Sequence, residues 1–250
     1  MASQPHSPSV PELMARRAAA KGAGRLSPNE LGQLYWTFHP RFRFFKSVPA
    51  DARLLDIGAN NGGLSQWRKC QSPDRSDISM YGVDLSRGEF SDNYAAWESQ
   101  NLDEAMPRFP GVTFDAVLCS HLIEHIQRPQ ELFGWLATRT RPGARCYFEW
   151  PNVTSLTLPP RGDLAKAGWD VLISNFHDDY THRELKSLDE VAAMMAEAGF
   201  TIIERGVVDA GYLTDQLIDA GDVYGNDELN LQGFWSATHW STYFIATRNA

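Results

Sequence analysis

The stretch LLDIGANNGG, from Leu54 to Gly63, decides how the chain is read: an apolar strand runs directly into a turn rich in glycine and asparagine. Glycine lets backbone approach a ligand closely, and asparagine enters left-handed geometry more readily than most residues with a side chain. Downstream, apolar runs alternate with helical patterns: RLLDIG, LSQWRKC, ISMYGVDL, FDAVLCS, QELFGWLATRT and ARCYFEW. Short continuous apolar strands separated by helices predict parallel strands buried on both faces, which is a doubly wound α/β sheet. The third strand is expected at YAAWES, and the chain between Asp84 and Asn101 is so short that the intervening helix must be abbreviated or lost.

The pattern resumes at Ser187, where S-L-D-E is a capping box opening the helix LDEVAAMMAEA, with Gly199 as its left-handed stop. FTIIERGVV and STYFIATR read as the last strands. Residues 1 to about 10 are expected to be disordered, PELMARRAAA to be helical, and S-P-N-E at Ser27 to cap a second helix through LGQLYW. The segment YWTFHPRFRFF carries enough apolar surface either to pack an N-terminal helical layer or to act as a lid. Residues 1–48 thus form a tail and helical, aromatic cap. Residues 49–250 form the main domain, interrupted by irregular insertions at about 151–186 and 209–238 that read as substrate lids.

In an open parallel sheet, ligands bind beyond the carboxyl ends of the strands. The residues at those ends are Asp56, Gly58, Asn60 and Gly62 after the first strand and Asp84 after the second, where a carboxylate can accept hydrogen bonds from ribose hydroxyls. A glycine turn followed by an acid also describes nicotinamide and flavin enzymes.

LLDIGANNGG, YGVDLS, NLDEAMP, FDAVLCSHLIEHI and the GF after a capped helix, taken in order, resemble the motifs of class I S-adenosylmethionine-dependent methyltransferases, over about Arg53 to Arg248. The resemblance implies a Rossmann-like, mostly parallel sheet of seven strands with S-adenosyl-L-methionine as cofactor. It implies Asp56, Gly58, Asn60 and Gly62 around the methionine part and Asp84, with Leu85 beside it, on the ribose. Asn101 and Leu102 would lie near the adenine, and Ser120 and His121 would face the methionine end. The family's usual turn has a second glycine where this chain has Asn60. A dinucleotide fingerprint needs G-x-G-x-x-G, and Gly58, Asn60 and Gly63 miss its middle glycine.

Methyl transfer from a sulfonium needs the acceptor held in line and, for a hydroxyl, a place for its proton. Histidine is the natural base near neutral pH, and His121, His177 and His182 are the candidates. HLIEH formally matches the H-x-x-E-H zinc pattern, but it follows a buried strand directly and no third ligand is evident. Asp178 and Asp179 with a histidine form a weaker candidate for a divalent cation, and no metal site is assigned. Among eight tryptophans, Trp150, Trp169, Trp235 and Trp240 either pack the core or offer flat faces to a sugar or aromatic acceptor.

The net charge of -8 and the lack of a long Lys/Arg run argue against gripping a phosphate backbone, so no nucleic-acid partner is expected. Three separated cysteines suggest neither a disulfide framework nor a zinc ribbon, and no apolar run marks a signal or a membrane span. A cytoplasmic protein acting on a small molecule follows. O-methylation of a sugar hydroxyl or of a natural-product intermediate is the leading expectation. A methyltransferase-like binding protein without turnover, or a nicotinamide-dependent oxidoreductase, are the rivals, and the oligomeric state is not readable.

Overall fold

The computed structural model describes residues 8–250, so the expected disorder of residues 1 to about 10 lies mostly outside the described residues. The chain divides into two compact units. One comprises the described residues up to His39, Pro151–Leu185 and Val207–Thr242; the other comprises Pro40–Trp150, Lys186–Gly206 and Tyr243–Ala250.

The second unit is built on a seven-stranded sheet in the order β3-β2-β1-β4-β5-β7-β6. Its strands are β1 (Arg53–Ile57), β2 (Ser79–Asp84), β3 (Ala96–Ser99), β4 (Phe114–Ser120), β5 (Thr140–Pro151), β6 (Phe200–Val207) and β7 (Ser241–Arg248). Strands β1 to β5 pair in parallel, whereas backbone bonds from Val208 to Ser241 and from Asn249 to Gly199 run β6 and β7 antiparallel. The central strands bury Leu54, Leu55, Val117 and Leu118 almost completely, as expected for strands covered on both faces. The strand expected within YAAWES is β3, and only a single 3-10 turn, Ser91–Asn93, precedes it. LSQWRKC does not form an α-helix: Gly63–Arg68 is a 3-10 turn entered from Gly62 at φ 81.

Of the helices, α1 (Val10–Ala20) and α2 (Pro28–Phe38) lie in the first unit and α3 (Pro40–Ser47) in the second. α2 begins at the expected capping box, with Ser27 N donating to Glu30 Oε2 at 2.9 Å. α4 (Pro129–Arg139) connects β4 to β5. α6 (Leu188–Glu197) opens on the expected Ser187 and Glu190 box and stops before Gly199 at φ 85.

The insertions differ from expectation. The first carries only α5 (Arg161–Lys166) and 3-10 turns, but the second, read as irregular, contains two full helices, α7 (Thr214–Tyr224) and α8 (Asp227–Thr238). Their sequence hides this because α8 buries residues around much of its circumference, Leu229, Gln232, Gly233, Phe234 and Ser236, so no polar face alternates with an apolar one. Asp219 of α7 accepts from Gly22 N and Gly24 N, each at 2.9 Å, and Arg17 forms an ion pair with Asp222 at 2.6 Å. Trp169 and Trp240 are fully buried in the core of this unit, with their indole N–H groups donated to Asn230 and to Ser174 O. Trp235 stacks on Trp240 with ring centroids 4.3 Å apart, and Trp150 is buried in the sheet unit. Of the two readings of the tryptophans, core packing therefore holds for Trp150, Trp169 and Trp240. The aromatic segment divides likewise, with Tyr35, Phe42, Phe44 and Phe45 buried and Phe38 about half exposed.

Gly88 shows how tightly the glycine turn is gripped. A Cβ there would overlap the backbone of Asn61, while Phe90 N donates to Asn61 O at 2.8 Å. Gly88→Ala is expected to cost about 1–3 kcal/mol in chemical denaturation. The control Gly134→Ala, in α4 with open space around its Cβ, should instead stabilise by about 0.5–1 kcal/mol. Equal effects of the two would contradict the packing described.

Candidate functional site

Register places the functional carboxylates along one edge of the sheet. Asp56 of β1 pairs with Gly82 and Leu118, Asp84 ends β2, and Ser120 at the end of β4 pairs with Glu149 of β5. Beyond this edge opens a cleft of about 530 Å³, within the range of small-molecule sites. Asp56, Gly58, Asn60, Asp84, Ser120 and His121 all line it, as do Arg41 and Trp67.

The turn after β1 is shaped by backbone. Asn60 takes φ 50, so the position where the family usually carries glycine is left-handed here too, and asparagine tolerates it. At Gly62, φ is 81 and a Cβ would stand 3.0 Å from the carbonyl carbon of Phe90, so no side chain fits. Asp84 is fixed by this turn: Asn60 N donates to Oδ2 and Leu85 N to Oδ1, each at 2.7 Å. Each oxygen keeps a lone pair for a further donor, as a ribose diol would require. Ser120 Oγ is buried and has no hydrogen-bond partner, which leaves a polar atom on the cleft wall for a ligand. These features fit S-adenosylmethionine.

Asp56 is buried, and Tyr94 Oη donates to its Oδ2 at 2.6 Å. Burial is the main cause that pushes the Asp56 carboxyl up to about 7, with Asp84 adding to it and Tyr94 and Arg41 opposing.

A second buried carboxylate organises the far wall. Glu149 receives Arg41 Nη2 at 2.7 Å on Oε1, Arg41 Nε at 3.1 Å and Tyr147 Oη at 2.6 Å on Oε2, and lies 3.0 Å from His121 Nε2. The other nitrogen of His121, Nδ1, faces buried Glu124 at 3.3 Å. Burial is the largest influence on the imidazole and acts downward, but the two carboxylates together outweigh it and push His121 up to about 9. His121 is therefore a cation at neutral pH. HLIEH forms a turn rather than a helix.

Leu85, Asn101 and Leu102 do not line this cleft. Leu85 is largely exposed; Asn101 turns its side chain onto Asp103 N and Glu104, and Leu102 is buried. In the first unit, His177 is exposed, whereas His182 stacks on Phe176 and its Nδ1 lies 2.5 Å from Phe176 O. Asp178 is a backbone cap, accepting from Arg161 N, Ser174 N and Asn175 N, and Asp179 accepts from Thr181. That corrects the candidate cation role of Asp178, whose oxygens are already directed at N–H donors.

Sequence reasoning missed Arg41, Tyr94, Tyr147 and Glu149, and weighed Glu124 only within the H-x-x-E-H pattern. Glu149 had a signal, being an acid inside the apolar strand RCYFEWP; Tyr94 and Arg41 had none, because only the fold brings them to β1 and β5.

The chain matches the methyltransferase-domain family over residues 33–205. A ubiquinone biosynthesis O-methyltransferase of Ralstonia nicotianae is 29% identical over 108 residues, 40% of this chain and 43% of that one, so the match spans less than half of that relative's length. A solved S-adenosylmethionine-dependent methyltransferase of Mesorhizobium loti is similar with a TM-score of 0.55 at 16% identity, covering 84% of this chain and 96% of that chain. The (4+2)-cyclase SpnF is similar with a TM-score of 0.54 at 12% identity, covering 98% of each chain. At these identities the structural likeness concerns the fold.

Glu149→Gln is expected to destabilise the protein by roughly 3 kcal/mol, since it leaves a partly buried Arg41 and His121 without their shared counter-charge. NMR titration of the imidazole should show His121 falling from about 9 toward neutral in that variant. A raised histidine stabilises the fold fully below its unfolded value near 6.5 and loses that contribution as pH climbs through about 9. The stability gap between wild type and His121→Gln should therefore be largest at pH 6 and shrink toward pH 10. A gap that widened with pH would reverse the assignment.

Proposed function

Since the chain belongs to the class I S-adenosylmethionine-dependent methyltransferase family, we propose from that premise that it methylates a hydroxyl oxygen of a small molecule, a natural-product intermediate or a sugar. The observation that carries the reading is the cleft itself: Asp56, Asp84, Ser120 and His121 all line it, at the carboxyl ends of β1, β2 and β4. The relative from Ralstonia nicotianae, named for O-methylation, supports the choice of oxygen as the acceptor atom.

S-adenosylmethionine supplies an electrophilic methyl group on a sulfonium centre. Asp84, fixed by the Asn60 N–H, would hold the donor's ribose, and Ser120 would offer its unpartnered hydroxyl to the methionine end. The carboxylates Asp56 and Asp84 favour a ligand carrying positive charge. His121 takes the acceptor's proton as the new oxygen–carbon bond forms, and Glu124 and Glu149 hold the resulting imidazolium. Because those carboxylates already favour the cation in the resting protein, only the fraction of His121 that has lost its proton is competent.

Calorimetry with S-adenosylhomocysteine and with NAD tests the donor reading. Binding of the first and not the second is expected, and tight NAD binding without a response to S-adenosylhomocysteine would overturn it. Asp84→Ala should weaken S-adenosylhomocysteine at least about tenfold, the scale of losing hydrogen bonds to a charged group. With a hydroxyl acceptor, the rate should rise about tenfold per pH unit up to about 9, as expected for a base that must first be deprotonated. A flat profile in the wild type, or an unchanged one in His121→Asn, would remove His121 from that role.

A further inference from the structure

Tyr94 is the buried phenol that the reading above leaves without a task. It sits just after the 3-10 turn Ser91–Asn93, with its N–H donated to Ser91 O. That turn is clamped to the 3-10 turn Gly63–Arg68, which follows the glycine turn: Asn93 Nδ2 donates to Ser65 Oγ at 3.2 Å, and Arg68 Nη2 to Asn93 O at 3.1 Å. The ring is wedged edge-on against Trp97, centroids 5.2 Å apart. Gly82 of β2 is bare where both rings lie, and a Cβ there would stand 3.1 Å from Tyr94 Cδ1 and overlap Trp97. Three elements therefore aim one hydroxyl at one carboxylate.

We propose that Tyr94 is a positioning residue of the donor site: its O–H, 2.6 Å from Asp56 Oδ2, keeps that buried carboxylate ionised and oriented, so that affinity for the cationic donor depends on Tyr94. The proposal rests on the donor reading given above. Asp56 is 4% exposed, and a carboxylate removed from water reverts to the neutral acid unless donors hold its charge. Among the described residues, the titratable and charged groups that face it are few. Tyr94 comes from the loop before β3, Arg41 from α3, Asp84 from β2 and the Cys119 thiol from β4. Arg41 is directed at Glu149, and Asp84 is a like charge, so Tyr94 is the donor that bonds Asp56 directly. With Asp56 poised at about 7, the loss of one donor changes its charge in the physiological range. A phenol that merely filled space would not do this.

Tyr94→Phe keeps the ring and removes the donor. S-adenosylmethionine and S-adenosylhomocysteine binding should be measured by calorimetry at pH 7 and pH 9, alongside Asp56→Asn. Tyr94→Phe should bind about tenfold more weakly than wild type at pH 7 and approach it at pH 9, whereas Asp56→Asn should be weak at both. The 13Cγ shift of Asp56, followed by NMR without ligand, should titrate at higher pH in Tyr94→Phe. It should titrate at lower pH when 3-fluorotyrosine, a stronger donor, is incorporated in place of Tyr94, a change that preserves the packing if the phenylalanine variant does not fold. Equal weakening at pH 7 and pH 9, or an Asp56 titration that ignores both changes, would overturn the proposal. If wild type binds neither ligand at any pH, the donor reading falls, and the NMR titration still decides whether Tyr94 controls Asp56.

Discussion

Buried negative charge at one edge of an apolar sheet is the constraint on which the site depends. Asp56, Glu124 and Glu149 are each no more than 4% exposed, and Asp84 stands beside Asp56 on the neighbouring strand. Removing a carboxylate from water costs several kcal/mol unless hydrogen bonds or cations compensate. Each acid is answered differently. Asp84 takes two backbone N–H groups, Asp56 a phenol, Glu149 a guanidinium, a phenol and an imidazole, and Glu124 the other face of that imidazole.

These partners connect elements distant in the chain. Arg41 reaches Glu149 across 108 residues of sequence and Tyr94 reaches Asp56 across 38, so the sheet edge is tied both to α3 and to the loop before β3. The same bonds that compensate the charges hold the cleft walls in place. This division has a chemical consequence: the Asp56 and Asp84 side presents negative charge, while on the Glu149 side Arg41 and His121 balance the acids.

The strands were legible because burial on both faces leaves uninterrupted apolar runs, and the caps of α2 and α6 because Ser-x-x-Glu satisfies backbone donors locally. Leu54–Gly63 marked the cleft for the same reason, since a left-handed turn selects its residues one by one. α8 was not legible: a helix that buries residues around much of its circumference loses the polar face that betrays a helix in sequence. Trp150, Trp169 and Trp240 could be read as acceptor platforms or as core, and nothing in their spacing separates the two; burial with satisfied indole N–H groups did.

By itself, the sequence determined the α/β sheet, its order of motifs and the glycine turn that closes β1, because each of these is dictated by backbone geometry or by burial within a few residues. Only the tertiary structure decided the charge states. Whether His121 is a free base or a cation, and whether Asp56 is ionised, depends on Glu149, Glu124 and Tyr94, which approach from other strands and loops. Electrostatic surroundings are a property of three-dimensional proximity, and no local pattern of residues encodes them.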